Sequence, residues 1–397
     1  MPMPTELSLL ARAALADIDP EGTGHLTALC QVMTRSPDAP ARLLRMAESE
    51  GLAGQLARNL IRSDLLDALP PAARELEETY RRIARDNLGR SAALGEFLTD
   101  LAAGGIPVVV LKGMALLADT YDDPGLRDMS DIDLWIRPGD REAAAARLRH
   151  LGYRRVEYYP GTWRRRNVTI DLHTDLLGAD RIRTRRFLLN RTSEELFAAT
   201  RPVTIHGVPA RLLEPADRVF FLVLHAFKHN LEKTVWLIDL HRLTRDWTAR
   251  EWDRVLDRAA DEGQERAVAG VLGLRELILP GALIPEVVRR LAHIRPLPFS
   301  RRLFTHRARG VPLPDWTALF WYLPPPGRLR RVRFIIETLF PRPAILRQIF
   351  PARSDRPVWL LYLLRVIQVT GWILTALPGQ IVTTPKPGVR DRRKHRV

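Results

Sequence analysis

The chain has 397 residues, enough for two or three domains with their own cores. Its 61 Lys and Arg against 46 Asp and Glu leave a formal charge of +15, which favours anionic partners such as nucleotides, phosphorylated glycans, acidic membrane surfaces or nucleic acid. The single cysteine, Cys30, excludes an intramolecular disulfide and a cysteine-based metal site. The N-terminus lacks the basic-then-apolar order of a signal peptide, and a cytoplasmic location is the expectation.

From Glu6 to Ala103 apolar residues recur at helical spacing, broken at Asp19-Pro20 and Leu69-Pro70-Pro71. The run Ala72 to Asp100 reads as one long amphipathic helix with Leu76, Tyr80, Ile83, Leu88, Leu94 and Leu98 on one side. Gly104-Gly105 ends it, and Ile106 to Leu111 reads as a buried strand. A helix over Gly113 to Tyr121, a loop over Leu126 to Ser130 and a second strand over Ile132 to Ile136 follow. Arg141 to His150 is a further helix, with Asp140 placed to cap its first turn.

Tyr153 to Tyr158 is a third strand candidate, and Asn167 to His173 a fourth. Its alternation sets Val168, Ile170 and Leu172 on one face and Asn167, Thr169, Asp171 and His173 on the other. Arg164 to Arg166 reads either as a group reaching phosphate or an anionic acceptor, or as a solvated turn. Pro202 to Leu213 is a hairpin turning at His206-Gly207. Helical patterns resume over Ala216 to Asn230 and Val235 to Asp246, and continue in shorter pieces beyond. The resulting class is α+β: a small mixed sheet flanked by N-terminal and C-terminal helical regions. The expected divisions are 1–103 (helical), 104–214 (the core with the sheet), 215–330 (helical) and 331–397 (amphipathic and basic).

Within the last division, Val358 to Leu377 is nearly long enough to span a bilayer, but Arg365 and Gln368 sit near its middle. A core helix, or one lying on the inner face of a membrane with Trp359, Tyr362 and Trp372 as anchors, fits better. The basic end, Arg390 to Val397, would add attraction to anionic lipid or simply keep the chain solvated.

The chemistry concentrates on Asp131 and Asp133. Two carboxylates two residues apart on a strand share a face, and like charges that close resist joint ionisation unless a cation joins them. If the strand bearing Asp171 is the neighbour of this one, all three carboxylates can converge on one edge of the sheet, a donor set suited to Mg²⁺ (or Mn²⁺) and substrate phosphates. Alone, such an Asp-x-Asp pair is more often surface or capping chemistry. His225 and His229 lie four apart, as in some zinc sites, but no Glu lies between them, and a polar helix face turned to the cleft is preferred. Lys228, Asp239 and His241 line the same cleft or form ordinary ion pairs.

The series LKG, LRDMSDIDLWI and VTIDLH, with LVLHAFKHN and WLIDL downstream, resembles the nucleotidyltransferase superfamily, the DNA polymerase β-like fold. It is more closely similar to bacterial nucleotidyltransferase-like proteins associated with exopolysaccharide and peptide biosynthesis clusters. The resemblance covers about Ile106 to Leu243. It implies transfer of NMP from an NTP to an acceptor, a sugar, peptide or protein, with Asp131, Asp133 and Asp171 as catalytic metal ligands. Lys112, Gly113, Arg127, Ser130, His173 and His229 would contact nucleotide. One departure stands out: Met114 follows Gly113, where the superfamily usually carries Gly-Ser or Gly-Gly. The competing expectation is therefore a catalytically degenerate scaffold or binding subunit at the membrane face, touching the membrane through 358–397. A nucleic-acid polymerase ranks last, for want of a basic-aromatic stripe or recognisable nucleic-acid module.

Overall fold

The structure, a computed structural model, describes residues 5–179, 182–296, 300–314, 317 and 327–376. The prolines at 324–326, the residue Leu377 and the basic end over 390–397 lie outside the described residues. Five helices open the chain: α1 (Glu6–Ala14), α2 (Gly22–Met33), α3 (Ala39–Glu50), α4 (Ala53–Arg62) and α5 (Pro70–Ala103). Helix α5 is 34 residues long, roughly 50 Å at 1.5 Å per residue, and it joins two cores. Leu69, Ala72 and Leu76 pack into the helical core, whereas Leu94, Phe97, Leu98 and Leu101 cover one face of the sheet. Leu88, expected on the inner stripe, is 60% exposed, because it lies about 120° round the helix from Leu76 at 100° per residue.

The sheet is built from β1 (Val109–Val110), β2 (Ile132–Trp135), β3 (Arg154–Arg155), β4 (Thr162–Arg165), β5 (Val168–His173), β6 (Arg201–Ile205) and β7 (Val208–Leu212). Its order is β3-β4-β5-β2-β1-β7-β6. The pairs β2–β5 and β1–β7 are parallel and the others antiparallel. Three helices accompany it: α6 (Lys112–Asp119), α7 (Arg141–His150) and α8 (Ser193–Ala198). This is the mixed sheet with flanking helices that the sequence pattern implies.

Alternation on the central strands sorts the two faces. Ile132, Leu134, Ile170 and Leu172 join the core beneath α5 and α7, while Trp135 joins the helical core on the opposite side. The burial of β5 alternates as expected, with Val168, Ile170 and Leu172 inward. The hairpin at His206-Gly207 is present, with φ of 51° and 77°, the paired positive values of a type I′ turn.

Several local readings differ, beginning with Ile106 to Leu111, of which only Val109–Val110 forms a strand. The stretch Tyr153 to Tyr158 forms only the two-residue β3. The segment Thr162 to Arg165 is strand β4, antiparallel to β5, and Arg166-Asn167 is the turn that joins the two. Its Trp163 is buried, and Arg165 donates to Glu96 and lies over the Tyr153 ring, so buried partners rather than apolar alternation decide its state. Asp140 makes no side-chain cap bond to α7. It closes a 3₁₀ turn with helix-like backbone angles (φ −87°, ψ −4°), and the extended geometry that an N-cap side chain needs is missing.

Beyond the sheet come α9 (Pro215–Lys228), α10 (Val235–Thr244), α11 (Ala249–Asp261), α12 (Glu265–Ile278), α13 (Pro285–Ala292) and α14 (Ser300–Ala308). Leu7, Leu10, Leu56 and Leu60 from the first helices share one core with Phe220, Val223 and Val271 from these. Polar ties cross the same junction. Ser8 Oγ donates to the Ile278 carbonyl at 2.6 Å, and Asp17 accepts from Arg58 at 3.1 Å and Arg242 at 2.6 Å. The two helical regions that flank the sheet in sequence are thus one layer in space. The described chain ends with α15 (Arg328–Leu339), α16 (Pro343–Ile349) and α17 (Val358–Ala376). Among the described residues no helix is long and apolar enough to cross a membrane.

Candidate active site

The site grows from the point where β1 turns into α6. Lys112 stands there with a left-handed φ of 49°, a conformation that costs a non-glycine residue on the order of 1–2 kcal/mol. Its ammonium donates to Asp133 Oδ1 at 2.6 Å. Gly113 is closely approached: a Cβ there would lie 3.0 Å from the Met129 sulfur, so that side chain would have to shift. The Met114 side chain is buried with the sheet core. It therefore does not project into the cleft; the departure removes a small residue from the turn without obstructing it.

Asp133 lies on β2, and the parallel register sets it directly opposite Asp171 on β5. One residue before the strand, Asp131 shares that face by the period of two. His173 follows two positions after Asp171, and its Nε2 lies 2.8 Å from Asp133 Oδ1. Ligand atoms of Asp133, Asp171 and His173 all fall within 4.8 Å of one another. Ligands of one octahedral cation with bonds of about 2.1 Å sit ~3–4 Å apart, so small rotations would bring these atoms onto one ion. Carboxylate oxygens with one imidazole are a donor set for a divalent cation.

Electrostatics sort the carboxylates. Burial together with the charges of Asp133 and Asp171 pushes Asp131 up to about 6, with Lys112 and the Ser130 hydroxyl, 3.1 Å away, pulling back. Burial also opposes ionisation of Asp133, but the Lys112 charge and the His173 hydrogen bond outweigh it and hold that carboxyl well below the usual range. Asp171 accepts from Thr162 Oγ1 on the adjacent β4. Three carboxylates against one lysine leave an excess of negative charge, which a divalent cation would neutralise.

Other anticipated residues fall elsewhere. Arg127 is buried and turned away from the carboxylates: its Nε and Nη2 donate to Asp239 on α10 at 2.9 and 2.8 Å, and its Nη1 to the Asp128 carbonyl at 2.6 Å. Tyr121 donates to the same Asp239 at 2.7 Å. Asn87 on α5 donates to the carbonyls of Pro124 and Arg127, each at 2.7 Å. The loop before Asp131 is thereby anchored from two helices. His229 is exposed at the end of α9, with its ring 4.5 Å from that of His225 and 5.6 Å from Trp236. The cleft itself is lined by Lys112, His173, Leu176, Phe221, Leu222 and His225, among others. Burial, followed by the Lys112 and His229 charges, holds His225 well below its ordinary value, so it faces the cleft as a neutral imidazole. Thr162 and Asn87 went unassigned in the sequence; a threonine in an arginine-rich strand and an asparagine inside a helix carry no recognisable spacing.

No curated protein matches the chain significantly. A solved structure of the antibiotic-resistance factor ANT(2'')-Ia is similar to it at 14% identity, over 47% of this chain and 91% of that one, with a TM-score of 0.28. The profile of a family described as uncharacterised nucleotidyltransferase matches residues 36–280. That span holds Lys112, the three carboxylates, His173 and the anchoring Asp239, and it exceeds half of the chain; the protein belongs to this nucleotidyltransferase family.

Proposed function

We propose that the protein transfers NMP from an NTP to an acceptor hydroxyl or phosphate on a sugar, peptide or protein, with Mg²⁺ or Mn²⁺ held by Asp131, Asp133 and Asp171. The observation that carries this reading is the register pairing of Asp133 with Asp171 beside Lys112 and His173, both of which line a cleft formed with α9. A bound divalent cation would neutralise the reacting phosphates and activate the attacking oxygen. Lys112 would exchange part of its bond to Asp133 for phosphate oxygens. His173 and Ser130 would orient the carboxylates or line the nucleotide. Arg127 is committed to Asp239, and its role is to hold the loop that carries Asp131. The acceptor oxygen would form a bond to the α-phosphorus as the bond to the bridging oxygen breaks. Its proton would pass to a carboxylate, with Asp171 the best placed, and pyrophosphate would leave. Positioning and charge neutralisation supply most of the acceleration in such a transfer. His229, one turn from His225, would meet the outer part of the nucleotide.

The test is pyrophosphate release and nucleotide binding with each NTP and Mg²⁺. Release that stops with Asp133→Ala supports the reading; binding unaffected by that substitution would sink it. A second reading, a degenerate scaffold at a membrane face, draws support from Lys112 and His173, both of which engage Asp133 Oδ1 directly. It predicts no pyrophosphate from any NTP while the fold and its associations persist.

A further inference from the structure

We propose that the C-terminal module, α15 to α17, docks the protein on the surface of an anionic membrane. Charge gives the first argument. Residues 327–397 hold 15 Lys and Arg against 3 Asp and Glu, so +12 of the net +15 resides in the last 71 residues. The preceding 326 residues are nearly neutral.

Apolar exposure gives the second. On α17, Trp359, Leu363, Val366, Ile367 and Leu374 are exposed, Trp359 by 68%. At 100° per residue they fall within an arc of roughly 100°. The opposite face is occupied: Leu361 is fully buried, and Arg365 donates to the carbonyls of Leu339 and Thr338 at the end of α15. That bond ties the two helices together. On α15, Leu329, Val332 and Ile336 form a second exposed stripe, with Leu329 exposed by 87%. Arg328, Arg330, Arg331 and Arg333 alternate with it along the same helix.

Exposed apolar side chains on both helices, with arginines along α15 and an exposed tryptophan near the start of α17, suit a surface seated at the headgroup level. Each basic residue near an anionic surface adds to the attraction, and salt weakens it. A second copy is a poor occupant, since +12 would face +12. No helix in the described chain spans a bilayer, which fits adsorption rather than insertion.

The experiment is co-sedimentation of the full chain with vesicles of phosphatidylcholine alone or with about 30% phosphatidylglycerol. Binding at least about tenfold stronger to the anionic vesicles at ~0.1 M salt, weakening at ~0.5 M, is expected. The double variant L363Q/I367Q should lower binding about tenfold with unchanged thermal unfolding, and vesicles should blue-shift tryptophan emission. Neutralising Arg392, Arg393 and Lys394 with Gln should weaken binding at low salt only. Asp133→Ala should bind as the wild type does, which separates failure here from failure of the catalytic reading. Three results would overturn the proposal: no preference for anionic vesicles, undiminished binding by L363Q/I367Q, or a stable dimer in solution that the same double variant dissolves.

Discussion

Asp133 and Asp239 are both buried carboxylates bonded to a cationic side chain, yet their surroundings differ in balance. Asp239 is fully buried and accepts from Arg127 and from Tyr121, whose own oxygen accepts from Gln55 at 3.2 Å. One acid meets one base, and burial with the Asp239 charge keeps Tyr121 neutral by raising it well above its ordinary value. Asp133 meets Lys112, but Asp131 and Asp171 stand beside it, and Asp131 is pushed up to about 6 by burial and by the charges of Asp133 and Asp171. The first arrangement is complete in the protein alone and acts as a fastener. The second is a charge imbalance placed where a cleft opens, the arrangement expected of a site that takes a cation and phosphates.

The largest effect is expected from breaking the fastener. Asp239→Ala leaves Arg127 buried without its partner, and such losses destabilise by about 3–5 kcal/mol, to be read as a fall in the thermal unfolding midpoint. Asp133→Ala attacks the imbalance instead: it should reduce pyrophosphate release by at least about 10²-fold, the scale of losing a preorganised charge-stabilising group. The unfolding midpoint should move less than in Asp239→Ala; an equal fall would erase the distinction between the two regions. Next in size, Mg²⁺ or Mn²⁺ near 100 times its dissociation constant should stabilise the wild type by about 2.7 kcal/mol. The gain should vanish in Asp171→Asn and persist in Asp140→Ala.

A pH effect isolates the helical layer. Burial, with the charges of Arg275 and Arg242, lowers His241 to about 4. Its folded value lies below its unfolded value near ~6.5, so the folded state binds fewer protons between the two. The stability contributed is present above pH ~6.5 and lost as pH falls towards ~4. His241→Gln should flatten unfolding stability across that window. The smallest effects concern helix ends: Thr192→Ala removes the capping box of α8 and should cost about 1 kcal/mol, whereas Asp140→Ala should stay within about 0.5 kcal/mol.

Strong periodic signals made much of the sheet legible. The alternation of β5 and the spacing of Asp131 and Asp133 set their faces directly, because side-chain direction on a strand follows from position alone. The turn at His206-Gly207 was legible for the same reason: few residues accept two positive φ values in succession. Strand β4 was hidden, since Arg164 to Arg166 read as solvated and only tertiary partners such as Glu96 and Tyr153 make Arg165 part of a sheet. Arg127 shows the same limit. An arginine before Asp-Ile-Asp has the chemistry for phosphate, and nothing nearby in sequence announces Asp239. Residue type fixes what a group can bind; only the fold decides which partner reaches it first.

The fastener also has a consequence for the order in which the molecule assembles. Arg127 and Asp239 are separated by 112 positions, and contacts of that span form late because the intervening chain must be closed first. During synthesis, β2, β5 and the loop before Asp131 emerge well before α10 does. A nascent chain therefore holds that loop only through Asn87 of α5 until the helical layer has folded behind it. Competence of the site is tied in this way to completion of the surrounding protein.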